Sequence, residues 1–278
     1  MLKTRVITAL VLIAVILPVL FIGSPWAIFI LSTVFFAAAC WESCRLFGSR
    51  FVILLTIMWT ALFICLILFG GSLELMFIWV IGCLAWIVQF IPYLKFGLPE
   101  LKSKSNRLHS ALYLIAILAC FLAMLVFQRH SPVYLLSVMA IVWVADIGAY
   151  FFGKAFGRRK LAPLISPGKS WEGAVGGWLC VLVWGVASTQ ISFLSDSFSV
   201  SLQHHLGWFG LGLVLSLLVV ASVIGDLVES QLKRRAQMKD SSNLLPGHGG
   251  VLDRIDALIF VLPLAMLIDV VMKIATNS

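Results

Sequence analysis

Long apolar runs alternate with short polar ones along the chain, and a run of about 20 apolar residues is what a helix needs to cross about 30 Å of hydrocarbon. About nine segments reach that length, at 6–23, 26–43, 51–70, 74–94, 110–127, 133–152, 173–193, 207–230 and 255–274. The pattern predicts an all-α polytopic helical membrane protein with about nine transmembrane helices. Gly23-Ser24-Pro25 and Gly70-Gly71-Ser72 leave so little chain between neighbouring runs that they predict tight helical hairpins.

One polar block breaks the pattern. It begins Gly225-Asp226-Leu227-Val228-Glu229-Ser230-Gln231-Leu232-Lys233-Arg234, passes through Lys239-Asp240, and ends Gly247-His248-Gly249-Gly250-Val251-Leu252-Asp253-Arg254-Ile255-Asp256. Because it lies between two apolar runs, its acids fall where membrane meets water. An aspartate at the centre of a spanning helix is disfavoured by roughly 2.5–3.5 kcal/mol, so acids near the bilayer point to function. If the helix from about Gly207 continues to Arg234, Asp226, Glu229, Ser230 and Lys233 share one face. Acids one turn from a base on such a stripe can hold a divalent cation and a phosphate together. Asp253 and Asp256 repeat the one-turn spacing, and the glycines around His248 let backbone N–H groups approach an anion.

Composition sharpens this picture. The 278 residues are 62% hydrophobic and only 12% charged, which excludes an ordinary soluble domain. The net charge of +8 could suggest a nucleic-acid partner, but the cations sort by side. With a cytoplasmic amino terminus, all of the 20 lysines and arginines except Arg129 and Lys273 fall on the inner side. The polar loops then face the cytoplasm, where nucleotides are available. The six cysteines fall nearly all within apolar runs and read as core residues, and Met1 to Arg5 with the run behind them read as an uncleaved first helix.

The chain divides at about residue 130. Residues 1–130 are spans with little chemistry, and the loop from Lys95 to His109 reads as a solvated, orientation-setting segment. Residues 131–278 carry the reactive groups, with cytoplasmic loops at 153–172 and 231–254. Asp146 stands inside the sixth run on a stripe with Ala149, Tyr150 and Gly153. Arg158-Arg159-Lys160 lead to Ser166-Pro167-Gly168-Lys169-Ser170-Trp171-Glu172, a turn bearing a lysine ahead of a helix start, which suits an anion. The outer segment from Leu194 to Leu206, with His204 and His205, reads as a solvated loop.

No Walker-type loop and no nucleophile elbow is present. Acids, bases and glycine turns at one membrane face suit phosphate chemistry through a hard ion such as Mg²⁺, with in-line attack of one substrate on the other. The block Ser230-Gln231-Leu232-Lys233-Arg234, Lys239-Asp240 and Pro246-Gly247-His248-Gly249-Gly250-Val251-Leu252-Asp253-Arg254-Ile255-Asp256 closely resembles the carboxyl-terminal signature of phosphatidate cytidylyltransferases. Asp146 with Ala149-Tyr150, and Ser166 to Gly173, resemble further blocks of that family, so the likeness covers roughly the second half of the chain; Ser170 stands where threonine is more usual.

The resemblance implies that CTP and phosphatidic acid are the substrates and CDP-diacylglycerol and pyrophosphate the products. It implies Asp226, Asp253 and Asp256 as ligands of Mg²⁺, with room for a second cation, and Lys233, Arg234 and Arg254 as phosphate contacts. His248, Gly249 and Gly250 would shape a nucleotide loop, and Asp146, Lys160, Ser166, Lys169, Glu172, Ser230, Lys239 and Asp240 would complete the substrate cavity. Asp226, Lys233, Asp253 and Arg254 are the expected catalytic set. The expected surroundings are the lipid bilayer of the cytoplasmic membrane and no nucleic acid, with a second copy of the chain as a candidate partner. Competing readings are a polyprenol kinase or another CTP-using lipid enzyme, and a transporter in which Asp146, Asp226 and Glu229 line a path. Clustering of charge at one face rather than at mid-depth argues against transport.

Overall fold

A computed structural model describes residues 2–277; the side chains of Lys3 and Arg5, two of the cations assigned above to the inner side, lie outside the described part. The apolar runs form α1 (Leu2–Ile22), α2 (Pro25–Leu46), α3 (Val52–Phe69) and α4 (Ser72–Ala85), the last continuing through a π-helical turn at Trp86–Phe90 into α5 (Ile91–Phe96). Then come α6 (Lys104–His130), α7 (Pro132–Phe156), α8 (Trp171–Ser188), α9 (Phe198–Arg235), the short α10 (Leu252–Ile255) and α11 (Leu258–Asn277). Among the described residues eight helical segments are long and apolar enough to cross a membrane; the apolar part of α1, Val6–Ile22, is shorter. The chain is an all-α polytopic membrane protein.

Local chemistry sets the helix starts. Ser103, Ser131, Ser170 and Ser197 each accept a bond from a backbone N–H in the first turn of α6, α7, α8 and α9, satisfying one of the donors a helix start leaves open. Pro25 and Pro132 add the fixed φ that suits a first helical turn. The helices then divide by environment. α3 carries no charge and leaves nearly its whole surface outward, as a lipid-facing helix does, whereas α6 is the most buried span. α6 packs against α2, α4, α7 and α11, so residues on both sides of position 130 share one core. Phe36 stacks on Phe63 at 4.3 Å and meets Phe121 edge-on at 5.5 Å, tying α2, α3 and α6 together. α7 and α8 approach through small residues: a Cβ on Gly177 would sit 2.4 Å from the Ala145 carbonyl oxygen.

Two local features differ from the sequence expectation. Residues 153–172 include an antiparallel hairpin, β1 (Lys160–Ala162) paired with β2 (Ser166–Ser170), with Lys160 opposite Ser170 and Ala162 opposite Ser166. The long element α9 is two helices joined at Gly207, whose φ of 68° breaks the helical backbone, so the spanning helix starts there as expected and a further helix, from Phe198, precedes it. His204 and His205 are therefore helical rather than in a loop, and His205 Nδ1 lies 2.8 Å from the Ser201 carbonyl oxygen.

Candidate active site

The α9 stripe forms as its spacing requires, and two further helices and β2 meet it. Asp226 accepts a bond from Ser230 Oγ one turn on (3.2 Å) and pairs with Lys169 of β2. The Asp146 carboxylate on α7 lies within electrostatic reach of both Asp226 and Lys169. Asp256, in the step from α10 to α11, faces the charges of Asp226, Lys233 and Asp146. Burial and the Asp226 charge push Asp256 up to about 7, against the bond its Oδ1 accepts from the Ala257 N–H at 2.8 Å. Three carboxylates on separate elements thus converge with one lysine, and they repel one another.

A second set of acids is held by Lys233 and, at Asp253, by fixed donors of the loop. Lys233 bridges Glu229, buried and one turn back on α9, and Asp253 Oδ1 at 2.7 Å. Asp253 Oδ2 accepts from Ser241 N, Ser241 Oγ and Gly250 N, each at 2.8 Å. Burial alone would raise the Asp253 carboxyl, but Lys233 and the Gly250 and Ser241 donors outweigh it and hold it below the usual carboxylate range. Asp253 thus has both oxygens engaged, Oδ1 by Lys233 and Oδ2 by the loop, and Lys233 pairs with two acids at once.

The other candidates fall around these two sets. Arg254 is exposed and is anchored by its Nε to the His248 carbonyl oxygen (3.1 Å), while His248 N donates to Leu245 O (2.8 Å). Gly249, at φ 82°, closes this turn in a conformation that side chains disfavour. A Cβ on Gly250 would lie 2.2 Å from Glu42 Oε1. Lys239 and Asp240 are exposed and border a cavity of about 580 Å³ with Trp41, Arg45 and Ser242; Arg234 is exposed. Glu172 accepts the N–H groups of Arg158 (3.1 Å) and Arg159 (3.2 Å), so it closes the turn after α7. Lys160 and Ser166 lie on the hairpin, with Lys160 exposed.

Sequence reasoning passed over Glu42. It is fully buried on α2 and accepts from Ser241 Oγ (3.1 Å), Ser242 Oγ (2.5 Å), Val251 N (3.0 Å) and Leu252 N (2.7 Å). A helix from the first half thereby holds the loop that carries Asp253, Arg254 and Asp256. The signal was present: Glu42 is an acid inside an apolar stretch, the argument that singled out Asp146. The loop at 95–109 also differs from its reading as merely solvated. Asn106 binds the carbonyls of Phe47 (2.9 Å) and Leu101 (2.7 Å), and Arg235 at the end of α9 binds Pro99 O and Asn106 Oδ1.

Among the described residues no three His, Cys, Asp or Glu side chains are arranged as a ready cage for an ion. The donors at the open cluster are nonetheless carboxylates, the chemistry of a hard cation that takes one or two protein ligands and fills its shell with water and phosphate oxygens.

Residues 3–272 match the model of the cytidylyltransferase family. The chain is 38% identical over 276 residues to a protein of Pseudomonas aeruginosa named phosphatidate cytidylyltransferase, covering 95% of each. It is 37% identical over 289 residues to one of the same name from Haemophilus influenzae, covering 95% of this chain and 96% of that one. A relative of that name from Bacillus subtilis shares 39% identity over 154 residues, 55% of this chain and 54% of its own. The first two likenesses run through the amino-terminal helices as well as the signature block. With almost its whole length matched, the chain belongs to the cytidylyltransferase family.

Proposed function

We propose that this protein is a phosphatidate cytidylyltransferase, joining the cytidylyl group of CTP to the phosphate of phosphatidic acid. A lipid phosphate oxygen attacks the α-phosphorus of CTP, a new P–O bond forms, and the bond to the β-phosphate oxygen breaks to release pyrophosphate. The lipid phosphate is already anionic, so the step needs no strong general base. It does need repulsion between two polyanions to be overcome, and cationic side chains aimed at phosphate oxygens do this by electrostatic stabilisation. Lys169 pairs with Asp226 among the open carboxylates, and Arg254, exposed and two residues before Asp256, is a second cation from which phosphate charge would be met.

Asp226 and Asp256, with Asp146 beside them, are the carboxylates that would hold Mg²⁺, which when bound neutralises phosphate charge and draws acid and phosphate oxygens together. Asp253 and Lys233 act one layer back, keeping the loop and Asp256 in register with α9. The sorting of lysine and arginine supports a cytoplasmic orientation of this face at the inner membrane, where CTP would be supplied.

The observation that carries the reading is the meeting of Asp146, Asp226 and Asp256 with Lys169, in a chain whose full-length relatives bear the phosphatidate cytidylyltransferase name. Purified protein given labelled CTP, phosphatidic acid and Mg²⁺ is expected to form a labelled liponucleotide, and excess chelator to stop it reversibly. Label transferred to a polyprenol instead, or no CTP consumption, would reject the reading.

A further inference from the structure

Where α7 ends and α8 begins, a groove of about 830 Å³ opens at the membrane boundary, outside the carboxylate cluster. Trp171, Val175 and Leu179 recur every four residues on α8, and Phe152 and Phe156 do so on α7; each helix thus gives the groove one apolar stripe, and all five side chains are exposed. From Trp171 to Leu179 the lining runs about 12 Å at about 1.5 Å per residue, most of the depth of one leaflet of a hydrocarbon layer about 30 Å thick. Gly176 forms the floor, where a Cβ would sit 2.2 Å from Phe152 Cγ. Arg158 and Arg159 line the polar end. Both are exposed, and among the described residues neither guanidinium pairs with a carboxylate. Arg159 lies within electrostatic reach of Glu172, the one acid at the groove, but both Glu172 oxygens are taken by the backbone N–H groups of Arg158 and Arg159. Lys154 and Lys160 add exposed positive charge on either side, while Lys169 turns to Asp226.

We propose that this groove binds an anionic phospholipid of the surrounding bilayer, at a site separate from the one where a lipid reacts. The inference goes beyond the reaction proposed above and does not depend on it. An apolar stripe that ends at two unpaired guanidiniums complements an acyl chain joined to a phosphate. Arginine offers a planar pair of donors matched to phosphate oxygens, and Trp171 suits the headgroup level, where tryptophan gathers. A free anion would leave the apolar stripe uncovered, and a lipid without net charge would leave the cations uncompensated. The bound phosphate also bears on the hairpin. Arg159 O accepts from Trp171 N (3.0 Å) and Lys160 lies opposite Ser170, so the segment held by the lipid is the one against which β2 carries Lys169.

The test titrates the full chain, purified in non-ionic detergent, with phosphatidylglycerol and phosphatidylcholine of the same chains, read by native mass spectrometry. Phosphatidylglycerol is expected to be retained in preference, and glycerol 3-phosphate not to displace it. Arg158→Gln with Arg159→Gln is expected to weaken retention about tenfold or more, the order expected when two surface cations cease to face an anionic headgroup. Arg50→Gln with Lys102→Gln, which removes the same charge elsewhere, is expected to leave retention within about twofold of wild type. In parallel, phosphatidylglycerol bearing a diazirine on one chain is expected to crosslink wild-type protein at Phe152, Phe156, Val175 or Leu179. Val175→Trp, which fills the groove and leaves the arginines intact, is expected to abolish that crosslink. Equal retention of the two lipids, equal losses in the two double variants, crosslinks confined to other helices, or a dimer that shows no lipid crosslink at this groove would each overturn the assignment.

Discussion

Two groups of acids, each drawn from separate elements, differ in what surrounds them. Glu42 and Asp253 are each met by several donors and form the frame of the 241–252 loop. Asp146, Asp226 and Asp256 face one another, with Lys169 as the cation paired to Asp226. A carboxylate with its lone pairs filled by fixed N–H and O–H groups costs little to ionise and holds structure. A carboxylate facing two others stores repulsion that an incoming cation and phosphate can relieve. Proximity in the signature therefore does not assign a role; the donors do.

The largest effect expected from breaking this comparison is at the open group. Asp226→Asn keeps the shape and the Ser230 contact but removes the charge that pairs with Lys169. Under the proposed role of Asp226 in holding Mg²⁺, losing a ligand to an ion worth several kcal/mol in the transition state predicts a fall in kcat on the order of a hundredfold or more. The melting temperature of the purified protein is expected to stay within a few degrees of wild type. A variant that melts far earlier would move Asp226 to the structural group.

Next comes the saturated group, where activity and stability are expected to fall together. Glu42→Ala leaves two backbone N–H groups and the Ser242 hydroxyl without their acceptor, while the Ser241 hydroxyl keeps Asp253. Each buried group so orphaned costs about 1–3 kcal/mol, so a loss of several kcal/mol is expected, read as a drop in melting temperature and in expression. Glu42→Gln, which keeps an acceptor oxygen, is expected to recover part of both. Full activity in Glu42→Ala would show that the loop holds its form without α2.

A smaller, sharper test lies in the lysine that serves the saturated group. Lys233→Met leaves Glu229 and Asp253 buried without their shared cation, and Asp253→Asn removes one of its partners. In a double-mutant cycle read by thermal or denaturant unfolding, the two changes are expected to couple by about 0.5–3 kcal/mol, because neighbours in one network are not additive. Coupling near zero would mean that Lys233 is not held by Asp253, and would return it to the phosphate contacts implied by the resemblance.

How much of this was legible without coordinates depends on the range of the interaction. Hydrophobic runs are a local property, and the spans followed them, as at Gly207, where the spanning part of α9 starts and a separate helix capped by Ser197 ends. The stripe of Asp226, Glu229, Ser230 and Lys233 is also local, because helix period alone aligns it. The role of Asp253 was not legible, since its donors come from Ser241 and from Lys233 across a loop. Glu42 was readable as an intramembrane acid, but its partners stand about two hundred residues away in sequence, beyond any periodicity.

The mildest prediction concerns pH and separates Asp256 from Asp253. Asp256 is raised from an unfolded value of about 3.9 to about 7 by burial and by Asp226, so between those values the folded protein binds the extra proton. Its contribution to stability is therefore present below the lower value and lost as pH rises through the upper one. Asp253 is shifted the other way, so its contribution is present above the unfolded value and lost only in strong acid. Melting temperature measured from pH 5 to 8 is expected to decline in wild type relative to Asp256→Asn, by a few degrees, and to be unaffected by Asp253 over that range. Parallel curves for wild type and Asp256→Asn would show that Asp256 does not feel the Asp226 charge, and would remove it from the open group.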